Sequence, residues 1–112
     1  MSDKSLRIAV AVAVLIIASL AATFAEAATE QEFDFECAVT ASMELGANAP
    51  GSDGRYQALR VYFFYLGRLS GRDSETHWSA LVREKLAEPR DKDELTVMYG
   101  RCLAFLNKQL EW

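Results

Sequence analysis

Apolar residues fall along this chain in two ways: one unbroken run near the start, then four stretches in which they return every three or four positions. The run is Ile8 to Ala22, almost wholly Ala, Val, Leu and Ile, and it carries no charge. Lys4 and Arg7 precede it, and Ala25-Glu26-Ala27 follows, small residues around a tolerated middle position. That is the form of a secretory signal, and it predicts cleavage after Ala27. The alternative is an uncleaved anchor. Ile8 to Ala25 is 18 residues, the short end for a membrane span, and no Lys or Arg follows the run to stop transfer. No Cys follows it either, which argues against lipoprotein processing.

The periodic stretches predict helices. The first runs from about Asp34 to Leu45, with Phe35, Val39 and Met43 at i, i+4 and i+8 and with Cys37, Ala38, Ala41 and Leu45 widening the stripe. Glu32, Asp34 and Glu36 fall at its start, where the helix dipole favours negative charge, and Gly46 is a plausible stop. Turn formers fill the loop from Gly46 to Gly54. The second helix runs from about Gly54 to Ser70, with Leu59, Tyr62, Phe63 and Leu66 on one face and Val61, Phe64, Tyr65 and Leu69 covering much of the rest. A helix apolar nearly all round belongs at the centre of its fold. Gly67 and Gly71 share a face that would admit another backbone, and Gly71 more simply ends the helix.

The third helix starts at Asp73 or Ser74, both good N-caps. It ends at Glu88, before Pro89, and its buried face is Trp78, Leu81, Val82 and Leu86. The fourth opens with Asp91 and Glu94 as a capping box. It carries Leu95, Met98, Cys102 and Phe105, with Leu106 and Leu110 beside them. The expected fold class is therefore all-α, a small bundle of about four helices forming a single domain over residues 28–112, after a signal peptide at 1–27.

Cysteine usage and charge refine this picture. A domain of this length is near the lower limit for an unaided core. Cys37 and Cys102 allow one intramolecular pairing, and in an oxidising compartment such a pair usually bonds. The bridge would staple the first helix to the last. The alternatives are two free thiols or an intermolecular bridge. Removing Lys4, Arg7, Asp3 and Glu26 from 12 basic and 16 acidic residues leaves 10 and 14, so the exported chain keeps a net charge of −4. Nucleic-acid binding needs the opposite balance.

Candidate chemistry is sparse. His77 is the single histidine, and no Cys-x-x-Cys or His-x-x-x-His spacing offers a metal site. Ser70, Ser74 and Ser79 near His77 and Asp73 lack a nucleophile elbow, and capping accounts for Asp73 and Ser74. No catalytic residue, metal or cofactor is expected. Arg68 and Arg72, with Arg60 nearby, are candidate contacts for a partner or an anion, or for carboxylates of this chain at Glu32, Asp34 and Glu36. Tyr62, Tyr65 and Trp78 are candidates for an exposed aromatic surface, because the aromatic load is heavy for one small domain.

The layout resembles the small periplasmic acid-stress chaperones of the HdeA/HdeB type. One Cys lies at the first helix, in Phe35-Glu36-Cys37-Ala38, and the other at the last, in Arg101-Cys102-Leu103. Between them an aromatic helix ends near glycines, in Tyr65-Leu66-Gly67 and Gly71. The likeness covers most of Phe33 to Phe105 as architecture. The run Gly67-Arg68-Leu69-Ser70-Gly71-Arg72-Asp73 lies outside it, and a different family of small exported bacterial proteins fits the layout equally.

What the resemblance implies is a chaperone that opens in acid. Neutralising the carboxylates leaves the basic groups in repulsion, while the bridge limits opening. The functional expectation is a small non-enzymatic binding or chaperone-like envelope protein, periplasmic or secreted, monomer or homodimer. Unfolded or envelope proteins are its expected partners, with no nucleic acid and no membrane after signal cleavage. The alternatives are a membrane-anchored accessory subunit using residues 8–25 as its span, and a secreted inhibitor or effector.

Overall fold

The computed structural model describes residues 29–111, and the expected signal, its cleavage site and the alternative span at 8–25 lie outside them. The compact unit considered below begins at Glu32. Its fold is all-α with one disulfide: α1 covers residues 29–47, α2 Asp53–Arg72, α3 Trp78–Lys85 and α4 Lys92–Gln109. None of these helices is long and apolar enough to cross a membrane.

Helix α1 is the central element. Asp34 and the consecutive residues Cys37, Ala38, Val39, Thr40 and Ala41 have no exposed surface. Five consecutive residues go more than once round a helix, so this stretch is enclosed on every side. Small side chains permit that, because they let neighbouring helices approach closely. Thr40 adds no unmet polar group, since its hydroxyl donates to the Glu36 carbonyl at 2.7 Å, an ordinary resting place for a buried threonine in a helix. Glu32, Asp34 and Glu36 are not at the start of α1, as its charge pattern suggests, because helix already covers residues 29 and 30. The helix also passes Gly46 and ends at Ala47.

The turn into α2 is held by side chains. Asn48 donates to the Glu44 carbonyl at 2.6 Å, and Arg55 reaches back to the Leu45 carbonyl at 2.7 Å. Both satisfy carbonyls left open at the end of α1. Gly51 sits at φ +81°, which favours glycine. Ser52 caps α2 by accepting from the Arg55 amide.

Helix α2 is not the central helix, although it is apolar on nearly every face. It buries Ala58, Val61, Tyr65 and Leu69, a stripe one step round from the expected Leu59, Tyr62, Phe63 and Leu66. Phe63 is 62% exposed. The stripe is set by what α1 and α4 offer: the Tyr65 hydroxyl donates to the Cys102 carbonyl at 2.6 Å inside the core, and only that rotation of the helix permits it. Burial raises the Tyr65 pKa well above the usual phenol range, helped by the nearby Asp34 carboxylate. Gly71 does not end α2, which runs to Arg72 with Asp73 as its C-cap. No atom outside the local helix backbone lies within 4 Å of where a Cβ would stand on Gly67 or Gly71. Neither glycine therefore marks a close helix crossing.

Asp73 explains why α3 is short. Its carboxylate accepts from the Thr76 hydroxyl and from the amides of Glu75 and Thr76, and its carbonyl accepts from the Trp78 indole at 3.0 Å. These bonds shape residues 73–77 as a turn, so α3 begins at Trp78 rather than at Asp73 or Ser74. Trp78 and Val82 are buried, Leu86 is half-buried, and Leu81 faces solvent. Asp91 caps helix α4 by accepting from the amides of Asp93 and Glu94, the forward half of the expected capping box. Cys102 and Leu106 are its buried residues.

The disulfide joins Cys37 and Cys102, with Cα atoms 5.6 Å apart and neither residue exposed. Replacing both cysteines with alanine is expected to cost about 2–5 kcal/mol of stability, read as a lower midpoint in urea unfolding.

A second expectation concerns Asp73. The Thr76 hydroxyl, then the two amides, hold its carboxyl below the ordinary carboxylate range. A lowered folded pKa gives stability that is present above the unfolded value and lost as pH falls through the folded one. NMR titration should therefore place Asp73 low, and Thr76→Val should move it up towards the ordinary value.

Candidate functional site

Two features stand out from the helices: a buried ionic cluster and an open apolar groove. The cluster is built on Asp34 of α1. Arg68 Nε lies 3.0 and 3.1 Å from the two Asp34 carboxylate oxygens, and Arg72 Nη1 lies 2.5 Å from Oδ2. The two arginines are one turn apart on α2, so both reach the same carboxylate. Asp34 has no exposed surface, while each arginine side chain keeps about a quarter of its own, 28% and 27%. The Arg68 guanidinium also lies over the Phe105 ring, 4.8 Å from its centroid. Phe33 packs edge-on against Tyr65 and Phe105 beside the cluster.

A second ion pair ties the other side of α1. Arg90, in the link between α3 and α4, grips Glu36 with two bonds of 2.7 and 3.3 Å. Successive carboxylates of α1 are thus each claimed by arginines from elsewhere in the chain. The Asp34 pairing was among the partners open to Arg68 and Arg72 from sequence, and both guanidiniums are engaged there.

The candidate aromatic surface of Tyr62, Tyr65 and Trp78 is corrected by the fold. Tyr65 is fully buried on the Cys102 carbonyl, Trp78 is buried with its indole on Asp73, and Tyr62 is half-buried. The exposed aromatics are Tyr56 and Phe63, each 62% exposed. They share an open apolar groove of about 600 Å³ between α2 and α4. Helix α2 supplies Tyr56, Leu59, Arg60, Phe63 and Phe64, α4 supplies Leu106, and its C-cap is the half-exposed Leu110. Spacings of three and four along α2 put its residues on one wall. Sequence reading missed this groove because it assigned Leu59, Phe63 and Leu110 to the core. The signal available was the excess of apolar faces on α2, more than one small bundle can cover.

His77 is exposed at the N-cap of α3 and makes no capping bond. Among the described residues no three His, Cys, Asp or Glu side chains are grouped to hold a metal ion, and no cysteine is free. No protein-family model matches the chain, and neither a curated protein nor a solved structure is detectably similar to it.

The cluster has a measurable weight in the fold. Asp34→Asn leaves Arg68 and Arg72 facing each other without their shared anion. The expected cost is about 2–3 kcal/mol, below that for a fully buried pair because both guanidiniums touch solvent. Urea unfolding at pH 7 checks it, and a change under about 0.5 kcal/mol, the size of an ordinary surface substitution, would mean the pair is only incidental.

Proposed function

We propose that this protein is a small exported, non-enzymatic binding protein of the cell envelope, chaperone-like, which holds apolar segments of other proteins in acid. The observation that carries the reading is the groove. A stable disulfide-locked bundle leaves Tyr56, Phe63 and Leu110 in the open together, and contiguous exposed apolar surface on a small protein marks an interaction site. The buried bridge, which suits an oxidising compartment, supports export.

The ionic cluster supports the acid dependence. Asp34 and Glu36 hold α1 to α2 and to the α3–α4 link through Arg68, Arg72 and Arg90. Near pH 2–3 carboxylates in general take up protons, whereas arginine stays charged. Acid therefore leaves the chain with an excess of positive charge, and self-repulsion favours opening. The Cys37–Cys102 bridge survives acid and keeps α1 on α4. Loosening therefore falls on the α2 side, which enlarges the apolar surface next to the groove without releasing the whole chain.

The test uses the chain from Ala28 onward with its bridge intact. Light scattering of an aggregation-prone client is followed at about pH 2.5 and at pH 7. The expected result is suppression in acid, little at neutral pH, and weaker suppression after phosphine reduction of the bridge. Phe63→Ser should halve the suppression or better. No suppression at either pH would discard the reading.

A further inference from the structure

Arg60 is the one charged residue lining the groove. Arg55, Arg68, Arg72, Arg90 and Arg101 are each engaged by a carbonyl, a carboxylate or a ring. Arg60 has no hydrogen bond, ion pair or ring contact among the described residues. It lies between Tyr56 and Phe63, at mid-length of the α2 wall.

A guanidinium set in an apolar wall restricts what can cover it. A purely hydrocarbon partner would take the charge out of water with nothing to pair it, which is costly. A partner carrying an anion beside its apolar part meets both demands, and the surrounding apolar wall strengthens the charge-assisted bonds. The dimensions favour a small occupant. From Tyr56 to Phe63 the α2 wall is about 10 Å long at 1.5 Å per residue. The groove's volume, about 600 Å³, lies within the range of small-molecule sites.

From this charge complementarity we propose that the groove binds a single-chain amphiphile with a carboxylate head. The hydrocarbon chain lies between Tyr56, Phe63 and Leu110, and the carboxylate pairs with the Arg60 guanidinium. The source is the free acid in solution rather than a bilayer. Each methylene covered tightens binding by up to about fourfold, so affinity rises with chain length. The Arg60 pair sets the preference for acid over neutral amphiphile. This inference goes beyond the holding of protein clients, and it concerns neutral pH, where the carboxylate is ionised.

Calorimetric titration of the chain from Ala28 at pH 7.4 tests it, with dodecanoate and dodecanol as probes below their aggregation concentrations. Dodecanoate should bind about tenfold or more tighter than dodecanol, the size of one charge-assisted bond. Arg60→Gln should remove that preference while leaving dodecanol binding unchanged. Phe63→Ser should weaken both probes. Far-ultraviolet circular dichroism confirms that each variant is folded, and both sites are exposed, so neither change opens the core.

Equal affinity for acid and alcohol in the unaltered protein would overturn the proposal. So would an acid preference that survives Arg60→Gln. Binding to phosphatidylserine vesicles without binding of free dodecanoate would move the site to membranes and overturn it too. So would binding of an uncharged apolar helical peptide with no response to dodecanoate. No client protein is present in these titrations, so their failure leaves the acid-client reading untouched, and the scattering test leaves this one untouched.

Discussion

Enclosing α1 is the constraint on which the rest of the structure depends. A helix with residues 37–41 wholly buried must be approached from all sides by the three other helices of the described residues. Each of them is tied to it differently. Helix α4 is joined covalently through Cys37 and Cys102. Helix α2 is joined ionically, by two arginines on Asp34. Helix α3 packs Trp78 against Phe35, with ring centroids 6.2 Å apart, and the segment that leaves it adds Arg90 on Glu36. Every tie starts between residues 34 and 37, within one helical turn. The Tyr65–Cys102 hydrogen bond joins α2 to α4, so these two helices are referred to one another as well as to α1.

Much of this was legible in the sequence where local chemistry decides the outcome. The Asp91 cap, the helical periods and the pairing of two cysteines depend on near neighbours or on there being no second choice. What was not legible is rotation of a helix about its own axis. Helix α2 has apolar residues on nearly every face, so its period alone cannot say which face is buried, and the expected stripe was one step out. The deciding residues are remote: Asp34 draws Arg68 and Arg72, and the Cys102 carbonyl draws the Tyr65 hydroxyl. Two polar anchors on α2 select among several apolar faces of similar worth, because an unmet buried polar group costs more than exchanging one apolar face for another. The same logic hid the true centre of the fold. Large aromatics suggested α2, but a central helix of a small bundle needs small residues, and Cys37, Ala38, Thr40 and Ala41 are on α1.

Locking α2 by its polar anchors has a consequence for the surface. Once Tyr65 and Arg68 face inward, Phe63 must face out, since two and five residues of separation turn it to the opposite side. Tyr56 lies seven residues before Phe63 and shares its side. The exposed groove is thus produced by the same choice that builds the core. Tyr56 and Phe63 are each 62% exposed, Phe63 meeting only the edge of the neighbouring Tyr62 ring, so the core does not account for these two aromatics. Their presence is the best reason to regard this face as one that something covers, and it is independent of what that occupant is.

The ties to α1 also differ in what breaks them. The bridge yields to reductants and is indifferent to charge, whereas the arginine–carboxylate ties depend on charge and are indifferent to reductants. Under the proposed acid opening, α2 and the α3–α4 link would part from α1 while α4 stays in place. The groove is lined from both α2 and the end of α4, so it spans one helix held to α1 by charge and one held to it covalently. A change of pH would then alter the width of the groove rather than abolish it, and both walls would stay on a chain that the bridge keeps from unfolding completely. An apolar site with one ionically held wall and one covalently held wall has room for a narrow occupant when closed and a wider one when open, with no second binding surface needed.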